Sequence, residues 1–90
     1  MKLKFTPRAV HYLKRLRAFI ARHNPAAAKR TSQKLKESIL LLLENPELGT
    51  ESNEIPNVRD YFPRSYFVRY TVQNDTVIIL RVWHGKEVHD

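Results

Sequence analysis

Apolar residues in the N-terminal half recur at helical spacing, whereas those near the C-terminal end alternate as in strands. Lys2 to Phe5 alternates polar and apolar, with Leu3 and Phe5 on one side, and predicts a short strand. Thr6-Pro7 reads as a helix start: threonine caps, and proline is tolerated at the first helical position because its missing N–H would be unpaired anyway. Ala9, Leu13, Leu16 and Ile20 follow as a stripe, widened by Val10 and Phe19, with Lys14, Arg15, Arg17 and Arg22 on the other face. The pattern predicts a helix over 7–22. His23-Asn24-Pro25 breaks it and restarts it, Asn24 being a good cap and Pro25 a good first residue. Ala28, Leu35, Ile39 and Leu42 form the next stripe, thickened by Leu40, Leu41 and Leu43, and Asn45-Pro46 closes it. A second helix is expected over 25–44, and the short link makes the two an antiparallel hairpin.

Pro46 to Pro56 is polar and acidic and reads as a surface loop, with Gly49 as its single glycine. Val58 to Phe62 predicts a short strand; Ser65 to Val72 and Thr76 to Trp83 predict two longer ones, rich in β-branched and aromatic residues. A three-residue turn at Gln73-Asn74-Asp75 would set Tyr70 opposite Ile78 and Val68 opposite Leu80. Tyr66, Val68, Tyr70, Val72, Ile78, Leu80 and Val82 would then face the core. Phe67, Arg69, Ile79, Arg81 and Trp83 would share the other face, an arginine–aromatic mixture that suits an interface hot spot or stacking on bases. The element order predicts an α+β fold: an N-terminal strand, an α-helical hairpin, then a three-strand antiparallel meander, with the helices packed on one face of the sheet. At 90 residues the chain is one domain, 1–90.

Charge sharpens the picture. The net charge is +7, yet residues 1–36 hold all of Lys2, Lys4, Arg8, Lys14, Arg15, Arg17, Arg22, Lys29, Arg30, Lys34 and Lys36 and no acid. Residues 37–60 hold Glu37, Glu44, Glu47, Glu51, Glu54 and Asp60 against Arg59 alone. The basic half suits nucleic acid or an acidic protein partner. There is no cysteine, which excludes disulfides and thiolate chemistry. The longest apolar run, Ile39 to Leu43, is far short of the ~20 residues of a membrane span. The N-terminus has no apolar signal segment, so the expected setting is cytoplasmic, without a membrane. No HExxH pattern or carboxylate cluster points to a metal, and no glycine-rich loop points to a nucleotide, so no cofactor is expected.

Taken in order, several segments carry a likeness to a known family. They are the N-terminal strand running into Thr6-Pro7-Arg8-Ala9; Asn24-Pro25-Ala26-Ala27-Ala28; Leu42-Leu43-Glu44-Asn45-Pro46-Glu47-Leu48-Gly49; Val58-Arg59; Tyr66-Phe67-Val68-Arg69-Tyr70; and Ile79-Leu80-Arg81-Val82-Trp83-His84-Gly85-Lys86. With them the whole chain resembles the ParE/RelE superfamily of toxins from bacterial type II toxin–antitoxin modules, which include plasmid stabilization systems. The ending Arg81 to Lys86 and the Asn-Pro-Ala opening of helix two look more like the ParE branch. The resemblance implies a cytoplasmic toxin that inhibits DNA gyrase by binding and is neutralised by a cognate acidic, ParD-like antitoxin. The alternatives it leaves open are a ribosome-dependent mRNA endoribonuclease of RelE type and an inactive member that only binds antitoxin.

The nuclease motif positions match only in part. The position that the resemblance gives to the catalytic arginine, on the third strand of the chain, falls on Phe67. The basic position after the last strand falls on Lys86. His84 and His89 stand near the end, but no tyrosine follows either. The chain is therefore expected to act as a binder rather than an enzyme, with His84 and Lys86 as the catalytic candidates if it is a nuclease. The expected functional surface is Arg59, Arg69, Arg81, Trp83, His84 and Lys86, with Arg59 alternatively pairing with Asp60 or a loop carboxylate. The antitoxin is expected in an apolar groove on the helical hairpin, at Leu13, Leu16, Ile20, Leu35 and Ile39. An edge strand at 1–6 or 58–62 could accept an added strand.

Overall fold

The computed structural model describes residues 1–86. Strand β1 (Lys2–Phe5) leads into α1 (Pro7–His23); a single 3-10 turn (Pro25–Ala27) leads into α2 (Ala28–Glu44). Then come β2 (Thr50–Glu51), β3 (Arg59–Tyr61), β4 (Tyr66–Gln73) and β5 (Thr76–His84). They form one five-stranded sheet in the order β1-β5-β4-β3-β2. The expected α+β architecture is present, with α1 and α2 packed on one face of this sheet.

The helix boundaries follow from local chemistry. Thr6 is extended, and its hydroxyl accepts the Ala9 N–H at 3.0 Å, with Pro7 at the first position. Asn24 does not cap the second helix as expected. Its backbone N–H instead closes α1 on the Ile20 carbonyl at 2.8 Å, and its side chain makes no cap bond to the next turn. The chain therefore spends Pro25–Ala27 in a 3-10 turn before α2 begins at Ala28. At the far end Asn45 returns both its backbone N–H and its side-chain amide to the Leu41 carbonyl, and Pro46 prevents continuation.

The three-strand antiparallel meander is present as β3-β4-β5, and three features of the sheet go beyond it or differ from expectation. First, β1 is parallel to its neighbour β5, running Lys2↔Thr76 through Phe5↔Ile79, while the other pairings are antiparallel. Second, the Thr50–Glu51 pair falls inside the expected loop and covers β3, so β3 is not an edge; β1 and β2 are. Third, the turn between β4 and β5 has two residues, Asn74 and Asp75, with Gln73 opposite Thr76 and Asn74 at a positive φ of 55°.

That turn puts Tyr70 opposite Ile79 and Val72 opposite Val77. A register irregularity follows: Arg69 opposes Arg81, so Leu80 is an extra residue on β5. The bulge changes side-chain parity midway along the strand. Val77 and Ile79 before it and Val82 after it all reach the core, each fully buried. Ile78 and Leu80, expected inside, are only half-buried, and Ile79, expected outside, is core.

The core joins Ala9, Leu16 and Ile20 of α1, Leu35, Ile39 and Leu42 of α2, and Tyr66, Val68, Tyr70, Val77, Ile79 and Val82 of the sheet. β1 pairs only with the first half of β5, ending where Thr6 N–H meets the Ile79 carbonyl at 3.1 Å. The second half of β5 is left to α1, which lays Tyr12 against Trp83 and Phe19 against His84.

Burial pushes the Tyr70, Tyr61 and Tyr66 phenols above their ordinary value of 10.0. At Tyr70 the Gly49 N–H and the Arg59 charge oppose this, but burial dominates. A folded value above the unfolded one means the fold binds these protons more tightly. Their stabilising contribution is complete below the unfolded value and is lost as pH rises from there through the folded value. Urea unfolding should therefore show a falling midpoint once pH passes about 10, with tyrosinate absorbance appearing together with unfolding. Tyrosinate signal from Tyr61, Tyr66 and Tyr70 in the still-folded protein at their ordinary value of 10.0 would contradict this.

Candidate functional site

The sheet face opposite the helices carries two parallel rows. Arg69 on β4 stands directly across from Arg81 on β5, and Asp60 on β3 is on the other side of Arg69. One step along the strands, Phe67 stands across from Trp83. Phe62, just after β3 and 63% exposed, continues this second row, its ring centroid 5.2 Å from that of Phe67. Phe67 and Trp83 stack with centroids 4.5 Å apart at 26°.

The cations are fixed differently. Arg69 forms a two-pronged pair with Asp60, Nε to Oδ1 at 2.8 Å and an NH2 nitrogen to Oδ2 at 3.2 Å, half-buried on both sides. The Asp60 hydrogen bond raises the arginine's already high pKa further, against a smaller opposing effect of burial. Arg81 has no ion pair among the described residues. Its guanidinium carbon lies 5.5 Å from the centroids of both Tyr12 and Trp83, two rings that themselves meet edge-on, and is held against the pair. Two arginines directly opposed across antiparallel strands destabilise the sheet. Asp60 neutralises one of them and leaves the positive charge at Arg81.

The other expected surface residues lie elsewhere. Arg59 shares the side of its neighbour Tyr70 and reaches into the loop. One guanidinium nitrogen donates to the Gly49 carbonyl at 2.6 Å, and another lies 3.6 Å from Glu51, the loop carboxylate anticipated as its alternative partner. Gly49 is the centre of this latch. Its N–H donates to the Tyr70 hydroxyl at 2.9 Å, and that hydroxyl donates to the Pro46 carbonyl at 2.7 Å. His84 is paired with Tyr66, so it faces the helix side. Its ring touches Phe19 and Tyr66, and its Nδ1 accepts the Lys86 N–H at 2.9 Å. A pocket of about 370 Å³ gathers Phe19, His23, Tyr66, His84 and Lys86 there. His89 lies outside the described residues. The structure thus brings Arg69, Arg81 and Trp83 together, puts His84 and Lys86 at the far end of the helices, and gives Arg59 to the loop.

Leu13, Leu16, Ile20, Leu35 and Ile39 do line one apolar groove, of about 500 Å³, between α1 and α2. Leu3 and Phe5 of the edge strand β1 form its continuation, and Arg17, Lys29 and Lys36 stand among its lining residues. Leu16, Ile20, Leu35 and Ile39 are buried floor, while Leu13 is half-buried at the opening.

Sequence reasoning missed Tyr12 and Phe62. Tyr12 sits beside the apolar stripe at Ala9 and Leu16, and Phe62 has the alternation parity of Asp60, but what places each on this face is a contact with another element: Tyr12 with Trp83 and Arg81, Phe62 with Phe67. Among the described residues no group of three or more His, Cys, Asp and Glu gathers to hold a metal, and no helix is long and apolar enough to cross a membrane.

The arrangement has known relatives. No curated protein matches the chain. A chain of the chromosomal ParDE TA system from P. aeruginosa is 25% identical with a TM-score of 0.79, over 93% of this chain and 95% of that one. The isolated E. coli RelE toxin is 22% identical with a TM-score of 0.64, over 97% and 86%. The intact E. coli RelBE toxin–antitoxin complex contributes a chain 21% identical with a TM-score of 0.60, over 92% and 99%. The two E. coli likenesses are of fold alone. The family model described as the ParE toxin of the type II toxin–antitoxin system, parDE, matches residues 3–89, nearly the whole length, and the chain belongs to that family.

Proposed function

We propose that this toxin inhibits DNA gyrase by binding, engages its target through the outer sheet face, and is neutralised by an acidic antitoxin seated in the α1–α2 groove. The observation that carries the target reading is the stacked Phe67–Trp83 pair. It occupies the place where the resemblance sets a nuclease's catalytic arginine, leaving a face built to dock rather than to move protons. The antitoxin reading rests on the groove's apolar floor, its basic lining residues, and the acid-free stretch 1–36. Membership of the ParE toxin family and the likeness to a chain of the P. aeruginosa ParDE TA system support a partner of this kind. The open edge of β1 lies beside the groove, so a partner segment there can also add a strand. These roles place the protein in the cytoplasm.

One observation favours the endoribonuclease alternative: His23, Tyr66, His84 and Lys86 share a pocket. His23 Nδ1 lies 3.0 Å from the Phe19 carbonyl, so that nitrogen carries the proton, and His84 Nδ1 is an acceptor, as Lys86 N–H requires. The test is a supercoiling assay with purified gyrase, run beside translating ribosomes programmed with mRNA. Inhibited supercoiling or trapped cleaved DNA, with intact mRNA, supports the gyrase reading. Cleavage of mRNA by the parent, lost in Lys86→Ala or His84→Ala, establishes the nuclease instead. No effect in either arm, and unchanged growth on induction without antitoxin, would mark an inactive member.

A further inference from the structure

The outer sheet face has the layout of a single-strand nucleic-acid platform. Its ring row, Phe62, Phe67 and Trp83, crosses three neighbouring chain segments, and its cation row, Arg69 and Arg81, runs parallel to it. Adjacent strands are about 4.8 Å apart, and residues two apart along a strand about 6.7 Å. The first spacing lets rings follow one another across the sheet at distances that bases also tolerate. The second separates rings from cations by about the distance between a base and its phosphate.

Charge selects the occupant. Asp60 is spent on Arg69, so that pair is close to neutral, while Arg81 is held by rings and retains its charge for a partner. Arg8 on α1 lies one helical turn from Tyr12, which touches both Arg81 and Trp83, and it is exposed. No acid occurs anywhere in residues 1–36. An acidic peptide would satisfy this charge but would leave the ring row without purpose. Bases offer a flat face to the exposed Phe62 ring, which continues the Phe67–Trp83 stack, and phosphates meet Arg81.

We infer that this face binds single-stranded DNA, with unpaired bases extending the Trp83–Phe67–Phe62 row from its exposed Phe62 end and the backbone passing Arg81. The inference rests on the gyrase reading only for the choice of DNA, since DNA held open by that enzyme is where unpaired bases would meet the toxin. A duplex hides its base faces, so it should bind only through charge.

Trp83 is the single tryptophan, so its fluorescence reports on the platform directly. The full chain is titrated with a short single-stranded thymidine oligonucleotide, its duplex with adenosine, and the uridine RNA counterpart, at low and raised salt. Saturable quenching by the single-stranded DNA, weaker with duplex and weakening with salt, is expected. Phe62→Ala, at an exposed position, and Arg81→Ala should each reduce affinity roughly five- to hundredfold, while circular dichroism and antitoxin binding remain as in the parent. Absence of quenching overturns the inference. So does equal binding of duplex, or affinity unchanged in Phe62→Ala, because either outcome leaves only non-specific charge. Tighter binding of the RNA overturns the DNA assignment in favour of an RNA partner. Gyrase inhibition without oligonucleotide binding would sink this inference alone; oligonucleotide binding without gyrase inhibition would sink the gyrase reading alone.

Discussion

Gly49→Ala should destabilise the folded toxin by about 2–4 kcal/mol, combining an overpacking cost with a strained buried hydrogen bond. A Cβ at this position would stand 2.9 Å from the Asp60 carbonyl oxygen, 2.9 Å from Cε1 of Tyr70 and 3.0 Å from the Tyr70 hydroxyl. The first neighbour is sheet backbone and the other two belong to a fully buried ring, so none yields easily. Moving the Tyr70 ring away would break its bonds to Gly49 and Pro46 and loosen the loop that Arg59 ties to the sheet. Stability of a domain of this size is about 5–13 kcal/mol, so the loss is a large share of the total. Thermal denaturation should record a midpoint lower by about 10–25 °C. Tyr70→Phe keeps the ring but leaves the Gly49 N–H and the Pro46 carbonyl without this partner, and should lose about 1–3 kcal/mol. A Gly49→Ala midpoint within about 2 °C of the parent would show that the latch is not what holds the loop.

Leu13→Glu should weaken antitoxin binding by about a hundredfold or more, equivalent to about 3 kcal/mol, with little effect on folding. Leu13 is half-buried at the opening of the α1–α2 groove, so the glutamate can remain solvated in the free toxin. An apolar partner surface closing over it would strand the charge, and an acidic partner would repel it. Leu13→Ala should cost less, because it removes contact without adding charge. Titration calorimetry measures both. Binding of the parent should also weaken as salt rises, since Arg17, Lys29 and Lys36 are solvent-facing cations. Undiminished affinity in Leu13→Glu would move the antitoxin away from this groove.

The helices were legible because their signals are local. Thr6-Pro7 caps α1 whatever the sheet does, and the leucine stripe of α2 ends where Asn45-Pro46 must end it. The strands β4 and β5 were legible in alternation but not in register. Ile78, Ile79 and Leu80 are three consecutive aliphatic residues, so alternation alone gives no sign of the bulge at Leu80. Assuming an unbroken parity demanded a three-residue turn. The actual two-residue turn and the bulge restore the correct parity at Val82, and for that reason Phe67, Arg69, Arg81 and Trp83 still share the outer face. β1's parallel pairing with β5 depends on contacts more than seventy positions apart, which no local pattern encodes. The site followed the same rule. The groove residues were readable as a helical stripe. The separation of His84 from Arg81 was not, because the strand was expected to end at Trp83, whereas β5 runs on through His84 and turns that ring to the helix side, nor was the contact of Arg81 with the paired rings of Tyr12 and Trp83.

Action on gyrase through the outer face of its sheet is the role proposed for this toxin. Its most direct test is supercoiling of relaxed plasmid by purified gyrase and ATP, with the parent toxin and with Arg81→Ala, each first shown to be folded and to bind the antitoxin. The parent is expected to inhibit supercoiling or trap cleaved DNA, and Arg81→Ala to lose potency by about tenfold or more, equivalent to about 1.4 kcal/mol. A folded, antitoxin-binding parent without effect on gyrase, or an Arg81→Ala variant as potent as the parent, would contradict it.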